Sequence, residues 1–288
     1  MDEFAKKLCA EFAAGDAKRD AGLTTPEDIE RFNAISYGYH AAHTLDVYRP
    51  KGCGKLPLIV NVHGGGYVYG DTGVYQFYCM DLAQRGFAVV SFNYRLAPEF
   101  KFPTPLFDLN TVMEWIERNA EEYGFDLGNI FMVGDSAGAQ LTSQYAAICS
   151  SPDYAALMGI KPTTLVIRAL GLNCGMYELR EHLKDKGGPN AVMSCYFTEH
   201  PEVFGEKLDV LSYINADYPP SFLISAPGDF LLRNCLPMAE FLGGRGVEAE
   251  AHIYGDESTG HVFHVDMRSA VGRQANDDEV NFFKKFIK

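Results

Sequence analysis

In the pentapeptide GDSAG at 134–138, Ser136 stands between two glycines, directly after an apolar run at 130–133 and directly before a helical pattern that begins at Ala137. A serine on a sharp strand-to-helix turn is lifted clear of the surrounding backbone, and the flanking glycines remove the Cβ atoms that would collide there. The next amide and the N-terminus of the helix then direct partial positive charge at an oxyanion forming on an attacked carbonyl. That is the layout of a nucleophile for acyl transfer. A helix N-cap built from Asp135 or Ser136 would use the same residues, so the pentapeptide alone leaves both readings standing. HGGGY at 63–67 follows another apolar run and offers three successive glycines whose N–H groups can turn toward a ligand atom. A phosphate cradle would use such glycines too, but no Lys-Ser/Thr follows to complete one.

A serine hydroxyl needs a base to take its proton and a third group to orient that base. Of the eight histidines, His261 lies on the loop after the last predicted strand, where loops gather at the same sheet edge as Ser136. His264, three residues on, is its rival. His63 is better placed to hold the glycine loop, and His40, His43, His182, His200 and His252 fall at strand or surface positions. For the acid, Asp229 follows a strand pattern at 222–225, and Ser136, Asp229, His261 is a hydrolase order along a chain. Asp256 and Glu257, on the histidine's own loop, are the alternatives.

These residues need a frame. Residues 44–48 alternate like a half-buried strand, and 58–62, 87–92, 130–133 and 164–167 are β-branched runs of the kind buried on both faces. Between them, 75–85, 106–121 and 137–149 carry apolar residues at three- and four-residue steps, which predicts strand–helix–strand crossovers of a mainly parallel sheet in an α/β fold. After Gly171 the rhythm breaks. Residues 176–186 read as a charged helix, 187–189 as a turn and 199–214 as another helix, until Pro219 and Pro220 end the excursion. Strands at 221–225 and 248–254, a helix at 236–243 and a last helix at 277–287 complete the pattern. Phe4, Leu8 and Phe12 give the first residues amphipathic-helix spacing. That helix and the insertion, the two parts outside the rhythm, are the candidates for a lid.

Across 288 residues, Lys+Arg 25 against Asp+Glu 38 leaves a formal net charge of −13, which argues against nucleic acid and anionic membrane as partners. Hydrophobic residues at 47% and charged residues at 22% exclude a disordered chain. No apolar stretch is long enough to span a bilayer, and no leader pattern opens the chain, so it reads as cytoplasmic. The seven cysteines are scattered and never spaced as CxxC, which suggests neither a disulfide framework nor a thiolate metal site. Edge strands near the C-terminus could pair in a homo-oligomer, although no residue pattern demands one.

HGGGY, YRLAPE at 94–99, GDSAG, the Asp229-Phe-Leu segment and GHVF at 260–263 together resemble the hormone-sensitive-lipase-like branch of α/β-hydrolases, over roughly residues 33 to 288. The resemblance implies a single α/β-hydrolase domain over 1–288, with helices on both faces of the sheet and a small cap from about 1–33 and 175–217. It implies Ser136 as nucleophile, Asp229 and His261 as its triad partners, and the amides of Gly65, Gly66 and Ala137 as the oxyanion hole. Tyr94 to Glu99 would be architectural. The chain departs from larger members in its short N-terminal segment and short insertion, and in Phe230 where a proline is usual. The implied reaction is carboxylic ester hydrolysis through an acyl-serine, with no metal or cofactor, on short acyl chains such as acetyl carried by small soluble alcohols or sugars. An arylformamidase or amidase would use the same triad, and the rival from another class is a non-catalytic small-molecule receptor, a role taken on this fold by members that lost the triad histidine, which this chain retains as His261. Tyr67, Tyr69, Tyr75, Phe77 and Tyr78 could wall the pocket or simply pack the core.

Overall fold

The computed structural model describes residues 3–184 and 192–288. Its strands are β1 (Ile29–Ser36), β2 (Thr44–Pro50), β3 (Leu56–Val62), β4 (Ala88–Phe92), β5 (Phe125–Asp135), β6 (Ile167–Asn173), β7 (Ser221–Ser225) and β8 (Ala249–Ile253). They form one sheet in the order β1-β2-β4-β3-β5-β6-β7-β8. β2 runs antiparallel to β1 and β4, and every pairing from β4 onward is parallel.

The inner strands read as continuous apolar runs because both faces are covered. Leu58, Val60 and Val62 of β3, with Ile130 and Met132 of β5, point into one core, while Ile59, Phe131 and Val133 point into the other. The helices are α1 (Glu3–Asp20), α2 (Thr72–Gln84), α3 (Thr104–Tyr123), α4 (Ala137–Ser150), α5 (Pro152–Met158), α6 (Leu179–His182), α7 (Met193–Phe197), α8 (Cys235–Gly244) and α9 (Ala270–Lys284). Residues of α3, α4 and α8 fill the first core; those of α2 and α9 fill the second. This is the α/β-hydrolase arrangement that the resemblance implied.

Four expectations need correction. The strand expected at 164–167 is displaced: Val166 is 55% exposed, and β6 runs Ile167–Asn173. Gly171 hid it, since a glycine weakens a strand pattern, and here a Cβ would strike the Glu279 carboxylate on α9. Residues 199–214 form no α-helix but two 3₁₀ segments, Pro201–Leu208 and Val210–Tyr213, because Gly205 (φ 53°, ψ −127°) and Asp209 leave helical space. Of the helix expected at 176–186, only Leu179–His182 is helical among the described residues, and the turn at 187–189 lies outside them. The last helix starts seven residues early, where the Ser269 hydroxyl accepts from the Gly272 amide at 3.1 Å, and it ends at Lys284. Strand β1 carries no sequence signal: only Ile29 of its eight residues is buried, so an edge strand shows no apolar alternation.

Candidate active site

Strand β5 ends at Asp135 and α4 begins at Ala137, so Ser136 alone makes the turn, at φ 52° and ψ −118°. A side chain rarely occupies this region, and the surroundings enforce it. A Cβ on Gly138 would strike the Val62 carbonyl oxygen and come within 2.6 Å of that of His63; one on Gly134 would lie 2.5 Å from the Gly138 oxygen. The helix thus packs against the end of β3 at a distance only glycine permits. The Ser136 amide donates to the Asn173 carbonyl at 2.9 Å. Ala137, first in α4, has an amide with no acceptor inside the helix.

The glycine loop is held from behind. His63 is fully buried, burial lowers its pKa to about 4, and the neutral ring places Nδ1 2.8 Å from the Gly64 carbonyl. Tyr94 stacks on that ring at 4.1 Å and donates to the His63 carbonyl at 3.0 Å, which gives YRLAPE its architectural role. The Gly64 amide is taken by the Tyr75 hydroxyl oxygen at 3.0 Å, and Tyr75 in turn donates to Asp135 at 2.8 Å. Asp135 is buried, and burial raises its pKa to about 6 against the opposing hydrogen bond from Tyr75. Gly65 (φ 102°) and Gly66 (φ 60°) occupy left-handed space.

His261 places Nδ1 2.7 Å from Asp229 Oδ1. Asp229 also accepts from the Ser225 hydroxyl at 2.7 Å and the Leu231 amide at 2.9 Å. Burial alone would raise its pKa, but the hydrogen bonds from His261, Ser225 and Leu231 outweigh it and hold the carboxyl below its ordinary value. The two loops that carry the pair are tied together by the Gly228 amide donating to the Thr259 carbonyl at 3.0 Å, a parallel bridge between Gly228 and Gly260. The rivals sit elsewhere. His264 is fully buried edge-on to Tyr78 at 5.2 Å, with its pKa lowered by burial to about 3, and Asp256 is exposed and accepts from Ser258 at 2.6 Å.

Ser136, His261 and the amide-bearing residues Gly65, Gly66 and Ala137 all line one cavity of about 270 Å³. Its walls include Tyr67, Tyr69 and Tyr75 from the expected aromatic set, whereas Phe77 and Tyr78 of α2 pack on the second core. Three further contributors line or adjoin the site: the amphipathic spacing marked the first helix and the departure from the usual proline marked Phe230, whereas Asp16, Arg19 and Cys174 left no signal. Helix α1 supplies Leu8, Phe12, Asp16 and Arg19; it is fastened by the Tyr69 hydroxyl donating to Asp16 at 2.7 Å and by Arg19 donating to the Val74 carbonyl at 2.7 Å. Phe230 lays its ring 4.2 Å from that of His261. Cys174, at φ 50°, brings its sulfur to within 4.8 Å of the Asp229 and His261 ligand atoms, the grouping of metal-ligating types among the described residues. In that grouping, Asp229 and His261 are already committed to each other. Exchanging Asp229 for asparagine keeps the Leu231 and Ser225 partners but removes the charge that would stabilise an imidazolium. If the pair serves Ser136 as base and orienting acid, turnover of an activated acyl substrate should fall at least about 100-fold, and an unchanged rate would leave Asp229 a purely structural residue.

Comparison with known proteins points the same way. A family model described as alpha/beta hydrolase fold matches residues 59–265. Esterase LipC of Mycobacterium tuberculosis is 26% identical over 211 residues, covering 69% of this chain and 51% of LipC, so the chain spans about half the length of that relative. Ethyl acetate hydrolase of Pseudomonas putida is 37% identical over 107 residues, 35% of this chain and 34% of its own. Esterase B from Lactobacillus rhamnosis, solved with a tributyrin phosphonate, superposes with a TM-score of 0.89 at 24% identity over 99% of this chain and 96% of that one, a likeness of fold.

Proposed function

The chain belongs to the alpha/beta hydrolase family, in its hormone-sensitive-lipase-like branch, and from that premise we propose that it is a serine carboxylesterase cleaving short-chain acyl esters of small soluble alcohols or sugars. One observation carries the reading. A serine held at φ 52° on a strand-to-helix turn opens into the same cavity as a histidine hydrogen-bonded to a buried carboxylate.

In this reading His261 takes the Ser136 proton as the hydroxyl attacks the ester carbonyl, and Asp229 holds the proton on Nδ1 so that the other ring nitrogen serves as base. The amides of Gly65, Gly66 and Ala137 receive the oxyanion. The protonated imidazole then gives its proton to the leaving alcohol, and water repeats the sequence on the acyl-serine. No step calls for a metal or cofactor.

The size and lining of the cavity support a short acyl group. At about 270 Å³ it lies at the small end of ligand pockets, and Phe12, Tyr69, Val192, Met193, Phe230 and Val265 make it mostly apolar. The ester named in the Pseudomonas putida relative is an acetate, which supports the acetyl end of that range. Helix α1 and the segment with Met176, Val192 and Met193 act as the cap in this proposal, within a single domain over 1–288. Among the described residues, no helix is long and apolar enough to cross a membrane.

The test is an initial-rate series on p-nitrophenyl esters from acetate to laurate, beside an acetylated xylo-oligosaccharide and N-formylkynurenine, with an organophosphonate as label. A maximum at acetate or butyrate and one phosphonate on Ser136 are expected. Faster cleavage of the formamide would replace the substrate class while keeping the triad, and absence of both turnover and labelling would return the chain to the receptor reading.

A further inference from the structure

Tyr67, next to Gly66, has φ 67°, an unfavourable conformation for a bulky side chain, so something must hold it. Its side chain is fully buried and is gripped twice. Its ring stacks on Tyr196 of α7 at 4.1 Å and meets the edge of Phe197 at 5.6 Å. Its hydroxyl starts a run of buried hydrogen bonds along α4. Tyr67 donates to Gln140 Oε1 at 3.0 Å, Gln140 Nε2 donates to Gln144 Oε1 at 2.7 Å, and Gln144 Nε2 donates to the Tyr154 hydroxyl at 2.6 Å and to the Lys207 carbonyl at 3.2 Å. Tyr154 closes the run by donating to the same carbonyl at 2.7 Å.

Every donor in this run points one way, from the glycine loop to a backbone carbonyl in the Pro201–Leu208 segment of the insertion. Burial raises the Tyr67 phenol well above its ordinary range, so it remains a donor. Gln140 and Gln144 are both buried; turning Gln140 around would set acceptor against acceptor at Gln144, and turning Gln144 around would set donor against donor at Gln140 and acceptor against acceptor at the Lys207 carbonyl. The run is therefore a one-directional constraint between elements far apart in the sequence. On the other side of the loop, Val192, a cavity wall at the start of α7, has Cγ2 2.9 Å from where a Gly66 Cβ would stand.

We propose that Tyr67 is a positioning residue for the oxyanion-binding amides, held through Gln140 and Gln144 by the Pro201–Leu208 segment, so that the insertion sets the geometry of Gly65 and Gly66. The inference rests on the reading of those two amides as oxyanion donors. Gln144 does not line the cavity, so its effect on chemistry is indirect, and the exchange of the loop amides shows whether it passes through Tyr67.

The test uses Gln144→Glu, which keeps the shape but loses the donor, and Tyr67→Phe, which keeps both ring contacts and loses the hydroxyl. Turnover of p-nitrophenyl acetate is read together with hydrogen exchange in peptides covering residues 64–70. Expected in both variants are a kcat lowered about tenfold with KM within about twofold, as for a misplaced catalytic group, and about tenfold faster exchange of the loop amides. Wild-type exchange in both variants overturns the proposal, and in an active enzyme so does an unchanged kcat or an effect on KM alone. If Gln144→Glu fails to fold, Tyr67→Phe decides by the same criteria. A wild-type protein that cleaves no ester, in which the variants still loosen the loop, would refute the esterase reading and leave the structural coupling in place.

Discussion

Replacing Ser136 with alanine is expected to lower ester turnover by roughly four to six orders of magnitude, since in the proposed mechanism the nucleophile, its base and its orienting carboxylate act as one unit. The substitution removes one oxygen from a turn whose glycines, not its serine, determine its shape, so folding should survive it. Labelling by an organophosphonate should vanish in parallel. A companion substitution separates chemistry from stability: Ser136→Gly should be equally inactive, yet more stable by about 1 kcal/mol, because glycine occupies φ 52° without strain. Residual turnover near that of the wild type in either variant would place the chemistry on another residue.

The largest expected loss of stability comes from Gly138→Ala. The added methyl would press on the carbonyl oxygens of Val62 and His63, which are backbone atoms at the end of a central strand and cannot step aside as a flexible side chain would. A cost of at least about 3 kcal/mol is expected, read as a lower midpoint in urea unfolding at unchanged slope. Gly54→Ala, where a Cβ meets nothing within 4 Å, is the matched control and should stay near the wild-type midpoint. Equal midpoints would mean that α4 does not approach β3 as closely as described.

Ser136, Asp229 and His261 could be picked out of the sequence because each follows a strand-like run, and parallel strands deliver their following loops to one edge. The glycines were legible for the same reason, being short-range consequences of a turn. What escaped notice depends on contacts between distant segments. Asp16 and Arg19 look like ordinary helix-surface charges until Tyr69 and the Val74 carbonyl are brought against them. Gln140 and Gln144 look like neutral helix formers, and only burial under the insertion turns their amides into a directed constraint. The β6 strand lies beyond its β-branched run because Gly171, required by the approach of Glu279, interrupts that pattern, and the 3₁₀ segments replace a helix that the apolar spacing alone would allow because Gly205 breaks it.

The bridge between Gly228 and Gly260 bears on how such a molecule can change over time. In the proposed mechanism it fixes the acid to the base through loops that follow two adjacent strands, independently of α1 and of the insertion, which furnish much of the cavity wall. Proton transfer is thereby insulated from the parts that decide what fits. The oxyanion side enjoys no such independence, because Tyr67 is shared with the insertion. A lineage altering α1 can explore new substrates with the acid–base pair intact, whereas one remodelling the insertion must carry along a partner for Tyr67 or forfeit rate with every new specificity it acquires.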